Sequence, residues 1–155
     1  MDRTDAISKL TARGEQFELQ DITINGNVCK WFVNAPSTLP QMIKESISDQ
    51  TFYVYKTERY TFNEMYQRAS SLAAELIEKY GISPGDRVAI GMRNYPEWPI
   101  AFTAITSIGG IVVALNAWWE SDELEYGLNH TGTKVAIVDQ ERLDRIIGND
   151  RLNEM

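Results

Sequence analysis

The first clear pattern of hydrophobic and polar positions lies in residues 17–33, where Ile22 and Ile24 alternate with polar residues. Alternation with a period of two is typical of a half-buried β-strand. Asn25-Gly26 follows, the pair that two-residue type I′ turns prefer, and a second apolar run then leads back to Asn34-Ala35-Pro36. The pattern predicts a β-hairpin near the N-terminus.

After this hairpin the apolar positions recur at helical spacing, and short continuous apolar runs separate the helices. Thr61 and Glu64 form the sequence of a capping box, and Gly81 is placed to end the helix that this box begins. The pattern predicts helices at 38–47, 61–80, 96–108 and 140–147, and one more helix that Ser121 caps. It predicts strands at 51–56, 87–92, 111–115 and 134–138.

Strands that alternate with helices in this order predict an α/β fold, a parallel sheet with helices on both faces. We expect all four predicted strands to belong to that sheet, and the N-terminal β-hairpin to precede it. Two domains follow from this arrangement. Residues 1–36 form an N-terminal extension with the hairpin, and residues 37–155 form an α/β subdomain.

Composition excludes several classes of function. The net charge is −7, and basic residues are interspersed with acidic ones, so the chain lacks the clustered positive charge of a general nucleic-acid binder. Cys29 is the only cysteine and His130 the only histidine, which excludes an internal disulfide and a thiolate metal cluster. This content is typical of a reducing compartment, and with no signal-peptide pattern at the N-terminus it predicts a cytoplasmic protein.

Residues 98–119 carry no charge and are long enough to cross a bilayer. However, Pro99 and several small polar residues dilute the apolar run, and Gly109-Gly110 divides it into one piece of helix length and one of strand length. A buried helix followed by a buried strand is therefore favoured over a membrane span.

Ligands of open parallel sheets bind beyond the carboxyl ends of the strands. Two places qualify here, Arg93-Asn94 after one predicted strand and residues 116–119 after the next. Asn94 and Asn116 are candidates to hydrogen-bond a ligand, and Trp118 is a candidate wall of a substrate pocket. The alternative, which we favour from sequence alone, is that the asparagines cap helices or turns and the tryptophans pack on neighbouring helices.

Catalytic motifs are not found in this sequence. Gly109-Gly110 lies between a helix and a strand, whereas phosphate-binding glycine loops connect a strand to a helix. Residues 131–134 contain one glycine before a strand, which indicates a turn. His130 has no identifiable nucleophile as a partner, so a structural role is expected for it. No catalytic, cofactor-binding or metal-ligating residue is predicted.

Several segments together resemble the N-terminal part of the adenylate-forming superfamily, in particular acyl-CoA synthetases. In chain order these segments are Tyr60-Thr61-Phe62-Asn63-Glu64-Met65, Gly85-Asp86-Arg87-Val88-Ala89-Ile90, Asn94-Tyr95-Pro96-Glu97-Trp98, Ala101-Phe102 with Ala104, Gly109-Gly110, Asn116 and Glu123-Leu124. The end of the hairpin, Asn34-Ala35-Pro36-Ser37-Thr38-Leu39, is similar to the lead-in of some fatty-acid and related acid ligases. The resemblance covers residues 17–145.

The resemblance implies that the α/β subdomain is the incomplete start of an AMP-binding N-terminal domain. In this family a carboxylic acid reacts with Mg-ATP to give an acyl-adenylate and pyrophosphate, and coenzyme A then displaces AMP. The Ser/Thr/Gly-rich phosphate loop with its lysine, the Tyr-Gly-x-Thr-Glu segment, the ribose-binding aspartate and the C-terminal domain with its lysine are absent here. Ala117 also stands where many relatives carry proline.

Two hypotheses follow. The first is a truncated N-terminal portion of a fatty-acid or related acid–CoA ligase that is inactive alone, binds no cofactor alone, and needs ATP, Mg and coenzyme A in the complete enzyme. The second is a stand-alone α/β interaction module that pairs with a separate chain. A truncated sheet exposes an edge and an apolar face, so we expect association with the remainder of the enzyme or with a second copy of the chain.

Overall fold

The structure, a computed structural model, describes residues 2–148. Its internal contacts divide the chain into two compact units, with the boundary between Thr38 and Leu39. We call them the N-terminal unit and the α/β unit.

The N-terminal unit consists of α1 (Arg3–Leu10), β1 (Leu19–Ile24) and β2 (Asn27–Phe32). The predicted hairpin is confirmed, because β1 and β2 pair antiparallel and the turn residues Asn25 and Gly26 have φ angles of 50° and 82°. Only residues that tolerate positive φ fit both turn positions. Helix α1 was not predicted, since its face is weakly apolar and none of its residues is buried.

The α/β unit contains ten elements, and each predicted helix and strand in it is present within a few residues. In chain order they are α2 (Leu39–Glu45), β3 (Thr51–Tyr55), β4 (Glu58–Thr61), α3 (Phe62–Glu78), β5 (Arg87–Gly91), α4 (Glu97–Ser107), β6 (Ile111–Ala114), α5 (Ser121–Thr131), β7 (Val135–Val138) and α6 (Gln140–Ile147).

One prediction about this sheet is wrong. Strand β3 does not join the parallel sheet, because it turns back at Lys56 and pairs antiparallel with the unpredicted strand β4. Lys56 has a φ of 53°, a conformation that a short hairpin turn requires. The parallel sheet therefore has three strands among the described residues, in the order β6-β5-β7.

Strand β5 is central in this sheet and pairs in parallel with both neighbours. Its residues alternate between two separate cores. Val88 and Ile90 pack with α3 and α4, whereas Ala89 packs with α5. The predicted helices on both faces of a parallel sheet are thus confirmed.

The ends of the helices follow ordinary capping rules. The capping box at Thr61 and Glu64 is present, with the Thr61 hydroxyl accepting from the Glu64 backbone N–H at 3.1 Å. The cap of α5 differs from the prediction, since it is Glu120 rather than Ser121. Gly132, with a φ of 60°, ends α5, so residues 131–134 form a turn and not a phosphate loop.

The uncharged stretch 98–119 does not form one long helix. It is divided between α4, the glycine pair and β6. Within the described part of the chain, no helix is both long enough and apolar enough to cross a membrane.

The adjacent tryptophans have different environments. Trp119 is half-buried and packs with the second core, whereas the side chain of Trp118 is 66% exposed. The ring of Trp119 lies against Gly127 of α5, and a β-carbon at that glycine would come within 2.7 Å of the ring and 3.0 Å of Leu115. Glycine at 127 therefore lets α5 approach the end of β6 closely.

We predict that Gly127→Ala destabilises the chain by about 1 kcal/mol. The overpacking penalty of about 1–3 kcal/mol exceeds the gain of about 1 kcal/mol from replacing a helical glycine with alanine. Urea denaturation measures the difference. The penalty should shrink in a Trp119→Leu background, and equal stability of wild type and Gly127→Ala would contradict the close approach.

Candidate functional site

The candidate site is a groove at the carboxyl ends of β5 and β7. It consists of three pockets of about 280, 330 and 400 Å³, all of which are lined by Tyr55 and Tyr95. The rings of these two tyrosines meet edge to face, with centroids 6.1 Å apart. We call the three pockets together the Tyr55–Tyr95 groove.

The topology explains why a groove forms here. After β5 the chain continues into α4, which packs with the first core, and after β7 it continues into α6, which packs with the second. The two chain segments therefore separate to opposite faces of the sheet. In open α/β sheets this point, the topological switch point, is where ligands bind.

Asp139 joins the two strand ends. Its carboxylate caps α6 by accepting from the Arg142 backbone N–H at 3.1 Å, and it also accepts from the Arg93 backbone N–H at 3.1 Å. Both of its oxygens accept in addition from Nη1 of Arg142, at 3.0 and 2.9 Å. One carboxylate thus holds the loop after β5 against the start of α6.

This arrangement shifts the ionisation of both side chains. Burial opposes the charged form of Asp139, but hydrogen bonds from the Arg142 side chain and from the Arg93 and Arg142 backbone outweigh it and hold the pKa of Asp139 below its usual value. The Arg142 side chain is fully buried, and its Nε and Nη2 lack hydrogen-bond partners. Burial lowers the pKa of Arg142, but the Asp139 and Glu141 carboxylates raise it by more, so the net change is an increase. The pair is therefore ionised.

The three candidate residues from the sequence lie in different places. Asn94 is exposed and lines two of the three pockets, so it is part of the groove. Asn116 lines none of the three, and its side-chain oxygen accepts from the Trp118 backbone N–H at 3.0 Å, which stabilises the turn after β6. Trp118 also lies outside the lining, but the Arg93 guanidinium stacks 3.7 Å from its ring centroid.

The stacked pair of Arg93 and Trp118 connects the ends of β5 and β6, since each residue follows one of these strands. A cation over an indole face is attractive by about 0.5–1 kcal/mol when exposed. Arg93 lines the pocket that also contains Asn94 and Glu141. Trp118 is thus a neighbour of the groove through Arg93.

The sequence prediction missed Tyr55, Tyr95 and Asp139. Asp139 follows the last predicted strand directly, so the rule about carboxyl ends would have found it if applied to that strand as well. Tyr95 follows Asn94 in the same loop. Tyr55 belongs to the β3–β4 hairpin, and no sequence pattern indicates that this hairpin reaches the end of the parallel sheet.

Tyr53 lines the groove, and Tyr60 stacks on it with ring centroids 4.7 Å apart. Burial raises the pKa of Tyr53 to about 12, and the hydrogen bond that Tyr60 donates to Glu58 at 2.6 Å raises the pKa of Tyr60. Both phenols stay protonated at neutral pH. His130 does not line the groove and stacks instead on Tyr126, with centroids 5.1 Å apart.

Carboxylates outnumber cationic side chains in the lining of the groove. Four carboxylates line it, against the single guanidinium of Arg93; they are Glu58, Glu97, Asp139 and Glu141. In residues 2–148 no group of three or more histidine, cysteine or acidic side chains is placed to hold a metal ion.

The fold places this chain in a known structural class. A solved structure, the anthranilate CoA ligase AuaEII in complex with anthranoyl-AMP, superimposes with a TM-score of 0.68 at 24% identity, over 72% of this chain and 22% of the ligase. At this identity the likeness concerns the fold. The α/β unit has the fold of the N-terminal subdomain of adenylate-forming enzymes.

The sequence comparisons give the family. Residues 43–154 match the model of the AMP-binding enzyme family. The long-chain-fatty-acid–CoA ligase of Escherichia coli O6:H1 is 34% identical over 104 residues, which are 65% of this chain and 18% of the ligase. The 4-hydroxybutyrate–CoA ligase 2 of Metallosphaera sedula is 28% identical over 118 residues, 76% of this chain and 21% of that ligase.

The chain belongs to the AMP-binding enzyme family. The resemblance derived from the sequence motifs is therefore confirmed. The chain spans about a fifth of the length of the curated relatives that it matches.

We predict that Asp139→Asn destabilises the α/β unit by about 3 kcal/mol at neutral pH, because it leaves the buried Arg142 guanidinium without its main counter-charge. Asparagine keeps one oxygen for the helix cap. Folding lowers the pKa of Asp139. The contribution of this carboxylate to folding stability is therefore present above about pH 4 and is lost as the pH falls through the folded-state pKa.

Denaturation curves of wild type and variant should thus converge in acid. Asp144→Asn, at an exposed position of the same helix, is the matched control and should change stability by less than about 0.5 kcal/mol. A constant difference between wild type and Asp139→Asn from pH 7 to pH 2 would show that the ion pair is not its cause.

Proposed function

We propose that this chain is the N-terminal portion of an ATP-dependent carboxylic acid–CoA ligase whose substrate is a fatty or related acid. The observation that carries the proposal is the family match over residues 43–154, together with relatives that are named as acid–CoA ligases. Residues 37–155 form, in this proposal, the start of the AMP-binding N-terminal domain.

The reaction of the complete enzyme has two steps. A carboxylate is a poor electrophile, so its oxygen first attacks the α-phosphorus of ATP and pyrophosphate leaves. The thiol of coenzyme A then attacks the acyl carbon, loses its proton, and AMP leaves with the bonding electrons. Each step exchanges one bond at the reacting phosphorus or carbon, and the adenylate makes the second step favourable.

The chain by itself is inactive in this proposal and binds none of ATP, Mg or coenzyme A. The four carboxylates of the groove, which would repel a triphosphate, support this. The contribution of this chain is then a rigid scaffold and one wall of the acid site, to be completed by the remainder of the enzyme.

Asn94 is the residue that we assign to that wall. It is exposed, lines two pockets of the groove, and follows the central strand β5. Asn116 and Trp118 have an indirect role in this proposal, since Asn116 holds the turn that presents Trp118 and Trp118 stacks on Arg93. We also propose a cytoplasmic location, which the single cysteine favours.

The direct test is ATP–pyrophosphate exchange with the purified chain and a panel of octanoate, palmitate and benzoate. We expect no exchange above background, and saturation-transfer NMR should show no contact with ATP. Exchange by the chain alone would contradict the assignment. If the chain co-purifies with a separate polypeptide that lacks ligase activity, the interaction module is the better account.

A chimera gives the complementary result. The aligned segment of this chain replaces its counterpart in the Escherichia coli O6:H1 long-chain-fatty-acid–CoA ligase, and thioester formation is measured. The chimera should be active, whereas the ligase without that segment should not be. A chimera that is folded and inactive would count against a shared role of the segment.

In the active chimera we predict that Asn94→Ala lowers kcat/KM about tenfold, the effect of losing one hydrogen bond to a bound group. Asn129→Ala, at an exposed position on α5, is the matched control and should leave kcat/KM unchanged. Equal values for both variants would remove Asn94 from the site.

A further inference from the structure

A second pocket, of about 220 Å³, lies among α2, β3, α3 and α4. It shares only Trp98 and Pro99 with the Tyr55–Tyr95 groove. We call it the apolar pocket, because no charged side chain lines it and its lining side chains are hydrophobic apart from Ser46 and Thr103.

Aromatic rings form most of its walls. Phe52 and Phe62 meet edge to face with centroids 4.8 Å apart, and Trp98 and Phe102 stack with centroids 5.6 Å apart. Each of these rings comes from β3, α3 or α4. The walls are therefore held by the main core of the α/β unit and are pre-formed.

The same core fixes the floor of the pocket. Met65 of α3 and Thr103 of α4 are 3% and 4% exposed. At the open side lie Met42 and Ser46 of the α2 region, and the Ser46 hydroxyl already donates to the Met42 carbonyl at 2.7 Å. Only Ser46 and Thr103 bring polar side-chain atoms to this lining, so it offers few of the two to four polar partners that a water molecule needs.

We propose that the apolar pocket binds a small hydrocarbon group, about the size of benzene. A dry protein cavity of about 150 Å³ with an apolar lining accepts benzene, so a pocket of about 220 Å³ has room for such a group. Burial of apolar surface against the aromatic walls supplies the affinity. A protein segment is the wrong size, since helix-in-groove recognition needs room for several side chains in a row.

Methionine methyl groups report the site directly. Met42 and Met65 line the apolar pocket, whereas Met92 lines the Tyr55–Tyr95 groove and serves as an internal control. The experiment is a titration of the full chain, labelled with methyl-¹³C methionine, with benzene as the probe. We expect saturable shifts of the Met42 and Met65 resonances, through ring currents, and no shift of Met92.

A matched pair of variants tests the location. Ser46→Phe places a benzyl group at the open side of the pocket as an internal occupant, and Ser46→Ala removes the same hydroxyl while leaving the pocket empty. Benzene should raise the Tm of wild type and of Ser46→Ala by a few degrees and leave the Tm of Ser46→Phe unchanged. A ligand that binds only the folded state stabilises that state, and the filled pocket of Ser46→Phe has no room for benzene.

A parallel titration with octanoate tests whether the pocket accepts the hydrocarbon tail of an acid as well as a free hydrocarbon. The carboxylate of octanoate must stay in water, whereas benzene carries no charge. Failure of benzene to move Met42 and Met65, a shift of Met92 equal to theirs, or an equal Tm response of Ser46→Phe and Ser46→Ala would each overturn the proposal. If Ser46→Phe does not fold, the methyl shifts of wild type decide. None of these measurements involves ATP, so their outcome is independent of the proposed ligase function.

Discussion

The burial of β5 between two helical layers is the constraint on which the α/β unit depends. Val88, Ala89 and Ile90 have no exposed surface, and they alternate between the two cores. A strand in this position must have hydrogen-bonded neighbours on both sides, because its backbone groups have no access to water. Strands β6 and β7 supply these bonds, and their apolar faces in turn require the helices that cover them. Full burial of each large side chain contributes about 1.5–3 kcal/mol, and Val88 and Ile90 make this contribution to the first core.

The same strand determines where the candidate site forms. The chain leaves β5 toward one face of the sheet and β7 toward the other, which opens the groove. The Asp139 carboxylate connects the two strand ends by accepting a hydrogen bond from the Arg93 backbone N–H. A buried arginine beside that carboxylate is costly to desolvate, and pairing offsets this cost only while both groups are charged. The ion pair of Asp139 and Arg142 is therefore better understood as positioning the loop that carries Asn94 than as a net source of stability.

Membership of the AMP-binding enzyme family gives this geometry a chemical context. An enzyme that makes an adenylate must bring together an acid, a triphosphate and a thiol, whose charges differ. A groove of aromatic rings and carboxylates suits an uncharged or apolar part of a ligand better than a phosphate. The apolar pocket differs from the groove in having no charged side chain in its lining. In the function proposed above, this unit supplies shape and apolar surface to a larger ligase.

The sequence alone determined most of the local structure, because helical spacing, the capping box at Thr61 and the Asn25-Gly26 turn act over a few residues. Its motifs also gave the family. Tertiary structure decided what depends on contacts between distant residues. It removed β3 from the parallel sheet, since a single turn at Lys56 directs this strand to β4, and it brought Tyr55 to the strand ends near Tyr95 and Asp139. It also divided the tryptophan pair: Trp119 faces Gly127, while Trp118 stacks on Arg93, and adjacent residues of one loop carry no sequence pattern that distinguishes these two environments.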